Sequence, residues 1–285
     1  MKLTDIHIRD PFILPDNGKY YMYGTRGHEA SGAFFGLDVY ESNDLENWSD
    51  PHNILNIPPA FWGTEDCWAP EVHKYKDKYY MFVSFKSPYH RRATHIFVSD
   101  SPGGLFSPHS STPVTPADWE CLDGTFYIED NIPYMIFCHE WQQTRVGEIC
   151  AIRLTPDLKN PAGDAFVLFN ASEPVWADGI ETHIGTAYVT DGPFLYKTSD
   201  NQLFMIWSSF SNGKYIEAIS FSDNGKLSGN WNHCKSPLFK NNGGHGMFFR
   251  TYNDKLMFII HSPNHSPNER PVLIEIDEQK LLKLK

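Results

Sequence analysis

The chain has 285 residues, of which 41% are hydrophobic and 15% aromatic, with a formal net charge of −11. That acidic balance argues against nucleic acid or an anionic membrane surface as a partner, and no apolar run is long enough to span a bilayer as a helix. Cys67, Cys121, Cys138, Cys150 and Cys234 are scattered and never form a CxxC pair, which fits reduced buried thiols better than a disulfide framework or a zinc site.

In chain order, the predicted elements are almost all short strands, because long 3.6-residue periodicity is nearly absent. The start, "MKLTDIHIRDPF", lacks the apolar core of a secretory leader. The expectation is a cytoplasmic protein, or one whose leader has been removed. Five segments then share one shape: an apolar strand, a turn with Asp, Asn or Gly, and a second aromatic-rich strand. They are "RDPFILPDNGKYYMYGT" from Arg9, "APEVHKYKDKYYMFVSF" from Ala69, "LDGTFYIEDNIPYMIFCH" from Leu122, "TDGPFLYKTSDNQLFMIWSS" from Thr190 and "GHGMFFRTYNDKLMFIIH" from Gly244. Between them lie strand-like pieces such as "THIFVSDSP" and "EICAIRL" that would supply outer strands. Small antiparallel units repeating at roughly 50 to 70 residues are the mark of a β-propeller. The prediction is an all-β, five-bladed propeller occupying residues 1–285 as a single domain.

In a propeller, the innermost strand of each blade lines a central axis. Aligning the five segments places Asp10, Glu71, Asp123, Asp191 and His245 at the strand mouths. Clustered carboxylates repel one another and resist desolvation, so a pure scaffold has no use for them. Two chemistries fit: metal binding, or glycoside hydrolysis by an acid and a base flanking one bond. Blander roles exist for single members. Arg9 offers Asp10 a structural salt bridge, Asp123-Gly124 reads as a tight turn, and a lone His245 is often a core histidine.

The segments "RDPFIL", "WAPEVHKYKDKYYMFVS", "LDGTFY", "DGPFLYK" and "GGHGM", in that order and at blade spacing, resemble glycoside hydrolase family 43, the arabinofuranosidases, arabinanases and β-xylosidases. The resemblance covers nearly the whole chain. It implies Asp10 as the general base that activates water and Asp123 as the group that orients the acid and raises its pKa. The acid then falls at Asp191, and His245 matches an axial histidine that helps hold a calcium ion in many members. The implied reaction inverts the anomeric carbon, and the implied substrate is a carbohydrate carrying terminal α-L-arabinofuranosyl units. A β-xylosidase and a sugar-binding propeller without turnover are the alternatives.

The sequence departs from the family pattern at the acid, usually Glu in an "EGP"-like motif. Asp191 is shorter by one methylene, about 1.5 Å of reach. Glu181 in "DGIETHIGTAYVTDGP" and Glu140 in "FCHEW" are alternative acids, and a site that only binds sugar is the third reading. Trp68 and Trp207 near strand mouths are candidate sugar platforms. His139 and Glu140, at the end of a second strand, are candidates for the pocket wall.

Overall fold

The computed structural model describes residues 1–27 and 36–284. Five sheets follow one another along the chain, each with its strands in sequence order. Blade I is built from Ile8–Asp16, Lys19–Arg26, Asp38–Ser42 and His52–Asn53. Blade II uses Glu65–Tyr75, Lys78–Ser87, His90–Ser99 and Ser107–Pro108, and blade III uses Cys121–Glu129, Ile132–His139, Glu148–Arg153 and Phe166–Asn170. Blade IV uses Asp191–Lys197, Leu203–Ser211, Lys214–Ser222 and Trp231–His233; blade V has three described strands, Gly244–Arg250, Leu256–Ser262 and Arg270–Glu275. A short hairpin, Ile180–Thr182 with Gly185–Ala187, stands between blades III and IV. The sheets form the five-bladed propeller that the repeats predict.

Local chemistry sets the turns. Asn17-Gly18 and Asn212-Gly213 each join two strands through two residues, with φ of 48° and 82° in the first and 51° and 68° in the second. Both central residues at positive φ is the hairpin geometry that matches strand twist, and Asn-Gly adopts it at least cost. The cores lie between blades, because each sheet is apolar on both faces. Val39 and Tyr23 of blade I share a cluster with Val72 and Met81 of blade II. Ile136 of blade III packs in one cluster with Met205 and Trp207 of blade IV, and Phe204 of blade IV with Phe248 and Phe258 of blade V. All five cysteines are buried and none forms a disulfide.

The ring closes by side-chain contacts between blades V and I. Arg9 bonds Glu269 at 2.9 Å and Asn264 at 2.8 Å, Arg270 donates to the Thr4 carbonyl at 2.9 Å, and the Tyr252 amide donates to the Tyr20 hydroxyl at 3.1 Å.

The same irregularity appears at the mouth of all five inner strands. Three residues of the inner strand advance while the second strand advances two: Arg9 to Phe12 against Thr25 to Tyr23, Trp68 to Glu71 against Ser84 to Phe82, Leu122 to Thr125 against Cys138 to Ile136, Asp191 to Phe194 against Ser208 to Ile206, and Gly244 to Met247 against His261 to Ile259. One extra residue per mouth is a β-bulge, a device that bends the strand and re-aims a side chain. The residue that follows the first member takes a left-handed φ in every blade: Asp10 at 52°, Ala69 at 47°, Asp123 at 57°, Gly192 at 48° and His245 at 49°. Non-glycine residues adopt this region at a cost, so four of these five positions hold local strain.

Candidate active site

The bulges turn five backbone N–H groups sideways, toward the preceding blade. The Ala69 amide donates to Thr25 Oγ1 at 2.7 Å, that of Asp123 to Ser84 Oγ at 2.9 Å, that of His245 to Ser208 Oγ at 2.6 Å, and that of Asp10 to His261 Nδ1 at 3.2 Å. The four acceptors hold one register position, opposite the residue just ahead of the bulge. In blade III that position is Cys138, a weak acceptor. There the Gly192 amide instead donates to the Asp123 carboxylate, Oδ2, at 3.0 Å. The exception ties Asp123 to the backbone beside Asp191.

The bulges also gather the polar side chains. Asp10 accepts the Thr25 hydroxyl at 2.6 Å through Oδ2, while its Oδ1 lies 3.2 Å from His245 Nδ1. His245 Nδ1 is 3.9 Å from Asp123 Oδ2. The imidazole rests on the bare Cα of Gly192, where a Cβ would come within 2.6 Å of its ring. Positive φ and this close approach together require glycine after Asp191. Tyr215, stacked on His261 at 5.7 Å, donates its hydroxyl to Asp191 Oδ2 at 3.0 Å. His261 accepts from the Asp10 amide through Nδ1, so its Nε2–H is the donor to Asn264 Oδ1 at 3.2 Å. Burial lowers its pKa to about 4, so it is a neutral imidazole.

The three aspartates differ in their protonation. Burial pushes Asp191 upward, Asp123 adds like-charge repulsion, and the Tyr215 bond only partly offsets them; the result is a pKa of about 7. Burial would raise Asp10 too, but His245, Arg9 and the Thr25 hydroxyl outweigh it and hold the carboxyl below its ordinary value. Asp123 is pushed well upward by burial and by the charge of Asp10, against the opposing Gly192 amide. Asp123 and Asp191 are close enough to titrate as a pair. Near neutrality Asp10 is an ionised base, and a proton resides on the Asp123–Asp191 pair.

These groups line a funnel of about 410 Å³, together with Arg9, Trp68, Glu140 and Tyr215. Trp68 is 38% exposed, and the Arg92 guanidinium lies 4.6 Å from its ring centroid. Arg92 is fixed in turn by Asp66 at 2.7 Å and by a short ion pair with Glu140. Beneath His245, Glu217 is fully buried and accepts from the Ser208 hydroxyl at 2.8 Å and the Gly246 amide at 3.2 Å; burial raises it to about 8.

Of the expected site residues, Asp10, Asp123, Asp191, His245, Trp68 and Glu140 meet at the funnel. Four do not line it. Glu71 was aligned with the axial carboxylates, but the bulge register puts Ala69 there. Glu71 lies two residues deeper, opposite Phe82, and bonds His73 at 2.8 Å. Glu181 is exposed on the hairpin between blades III and IV and accepts from Thr186 at 2.7 Å. His139 stacks on Trp119 at 4.1 Å and is held by Glu148 and Gln143. Trp207 is a core residue, fully buried, with its indole N–H on Ser220 Oγ at 2.9 Å. Arg9 bonds Glu269 and Asn264, so the blander alternative of a structural salt bridge with Asp10 is not formed. Tyr215, Glu217 and Arg92 went unnoticed in the sequence. Tyr215 was recoverable only from the Asn212-Gly213 turn that folds its strand back.

His245 does not meet a calcium-ligand set. Calcium takes six to eight oxygens, whereas His245 offers nitrogen and its Nδ1 faces Asp10. Among the described residues, no group of three or more His, Cys, Asp or Glu is arranged to hold an ion.

Known proteins share this architecture. The crystal structure of an endo-arabinase from Bacteroides thetaiotaomicron VPI-5482 is 39% identical, with a TM-score of 0.91 over 97% of this chain and 96% of that one. An endo-1,4-beta-xylanase from the same organism is 25% identical, with a TM-score of 0.76 over 96% of this chain and 92% of its own. A xylosidase/arabinosidase of Bacteroides ovatus is 28% identical over 138 residues, 43% of this chain and 42% of its own length. The matched region spans about a quarter to a half of the curated relatives' length. The family described as "Glycosyl hydrolases family 43" matches residues 4–277, and the chain belongs to that family.

Proposed function

We propose that the chain hydrolyses α-L-arabinofuranosyl linkages with inversion, releasing terminal units from arabinose-containing polysaccharides or oligosaccharides. The observation that carries the reading is the split between an ionised Asp10 and an Asp191 raised to about 7 in one funnel. Divergent carboxyl environments mark an acid and a base. Asp10 takes a proton from water, whose oxygen bonds to the anomeric carbon. The glycosidic C–O bond breaks as Asp191 gives its proton to the leaving oxygen. Asp123 holds Asp191 in its protonated form. Trp68, backed by Arg92, offers a flat apolar face for a sugar ring.

A second reading is cleavage within the arabinan backbone, favoured by the similarity to an endo-arabinase. A third is β-xylosidase action, in line with the names of the xylose-active relatives. The deciding experiment is digestion of linear arabinan with product analysis, beside 4-nitrophenyl α-L-arabinofuranoside and β-D-xylopyranoside. Arabinose alone supports the proposal. Early arabino-oligosaccharides support internal cleavage, release from the xyloside only supports a xylosidase, and no product from any of them overturns the hydrolase reading.

A further inference from the structure

A second cavity, about 440 Å³, opens at the Asn212-Gly213 end of blade IV, between Trp176, which precedes that blade in the chain, and residues 235–241, which follow it. Its place follows from the strand directions. Asp191 pairs with Ser208, so the second strand of blade IV, ending at Ser211, turns at Asn212-Gly213 on the funnel side of the ring. Tyr215, which bonds Asp191, lies just past that turn, and its carbonyl accepts the Gly243 amide at 3.1 Å. The cavity is therefore on the face that carries the funnel, outward from Tyr215.

Its lining combines two chemistries. Trp176, Ile216 and Pro237 form an apolar floor. The Trp176 ring is fixed by its N–H bond to the Cys234 carbonyl at 2.9 Å and by packing on Trp207 at 5.6 Å. Around the floor stand Lys214, Lys235 and Lys240, all exposed, with the amides of Asn212 and Asn241. Some other surface lysines have carboxylate partners, such as Lys19 with Glu41, Lys78 with Asp100 and Lys226 with Asp130, while Lys2 and Lys76 bond neutral oxygens and stand apart from one another. None of the three lysines here pairs with a carboxylate among the described residues. Asp178, the nearby acid, is engaged by the Asn212 amide and does not line the cavity. In a chain of net charge −11, three uncompensated cations on one cavity are a local reversal of sign.

We infer that this cavity is an accessory subsite for a uronic-acid residue of an acidic polysaccharide, with the lysines reading the carboxylate and the Trp176 floor taking the sugar ring. An indole beside amide side chains suits a pyranose face and its hydroxyls. The overall negative charge opposes any polyanion, so the attraction is confined to the carboxylate that the three lysines reach. The inference deepens the arabinoside reading: the substrate of the funnel is then a neutral branch on an acidic backbone. Both sites lie on one face, so one chain can engage both.

The test is calorimetric titration of trigalacturonate into the wild-type chain and into Lys214→Gln/Lys235→Gln/Lys240→Gln. Saturable binding that weakens at least tenfold in the triple variant, and that weakens with added salt, is expected. Turnover of 4-nitrophenyl α-L-arabinofuranoside should be equal in both proteins. Binding is read without turnover, so a chain that hydrolyses no arabinoside but binds trigalacturonate through these lysines refutes the activity and keeps the subsite. No saturable binding, equal binding by the triple variant, or equal displacement by the same concentration of inorganic phosphate overturns the subsite.

Discussion

Replacing Asp191 by Asn separates acid catalysis from everything else in the funnel. Asparagine keeps an oxygen for the Tyr215 hydroxyl, now 3.0 Å away, and removes only the proton that the leaving group needs. With a pKa of about 7, Asp191 is half protonated at pH 7, and each further pH unit removes roughly a tenfold share of the active form. A positioned general acid contributes about 10²–10⁴-fold. The variant should lose that factor on an arabino-oligosaccharide, whose leaving alcohol is poor, and little on the 4-nitrophenyl arabinoside. On the latter the alkaline limb of kcat/KM should disappear. Stability should move the other way. The folded carboxyl binds its proton more tightly than the unfolded one, so wild type loses stability as pH rises from about 4 to about 7. Asp191→Asn has no such loss, and its melting temperature should pull ahead across that window and keep the lead above it. Equal losses on both substrates, or an unchanged alkaline limb, refute the assignment. Glu140, buried in the same funnel and also pushed upward by its burial, then becomes the acid.

Other perturbations test the wiring around this pair. Asp123→Asn removes the neighbouring carboxylate that helps raise Asp191, so the alkaline limb should shift to lower pH, by about one unit or more. Cys138→Ser restores the hydroxyl that other blades place there. If that hydroxyl captures the Gly192 amide, Asp123 loses its hydrogen bond and competes with Asp191 for the proton. The expected outcome is a lower kcat and an alkaline limb at higher pH, whereas a packing defect alone would leave the limb in place. Glu217→Gln keeps an acceptor for Ser208 and Gly246 and should retain activity near neutrality. Burial lifts Glu217 to about 8, so its variant should gain on wild type in thermal denaturation as pH rises from about 4.5 to 8.

The fold was legible because its signal is repetitive: an apolar strand, a turn of two to five residues and an aromatic strand, five times over. Individual side chains were harder to place, and the bulge explains which ones failed. Alternation along a strand assigns faces by a period of two, and one inserted residue inverts that assignment locally. Asp10, Asp123 and His245 carry the bulge themselves and were placed correctly by their neighbours. Glu71 sits past the bulge, where Phe12 and Met247 sit in other blades, so a count from the acidic residue alone put it on the axis. Trp207 and His139 lie on second strands, whose mouth ends alternate between the funnel and the inter-blade core. Nothing in "MIWSS" or "FCHEW" announces which side each takes.

The bulge also resolves why an Asp-Gly opens the inner strand of blade IV. Asp191 does not occupy the position of Asp10 and Asp123; it stands one residue earlier, where Arg9 and Trp68 stand in blades I and II. Gly192 takes the left-handed position, and its missing Cβ lets the His245 ring lie against the backbone. Its amide, lacking a hydroxyl acceptor on blade III, turns to Asp123. One dipeptide thereby brings three groups together: a carboxyl aimed at Tyr215, a seat for the axial histidine, and a backbone donor for the second aspartate. Aspartate at the first place and glycine at the second are separate requirements, and Gly192→Ala should disrupt His245 and Asp123 together while leaving the Asp191 side chain chemically intact. A loss of turnover in that variant with an alkaline limb that persists but is displaced with Asp123, read on 4-nitrophenyl arabinoside, is the signature of a misplaced base rather than a missing acid.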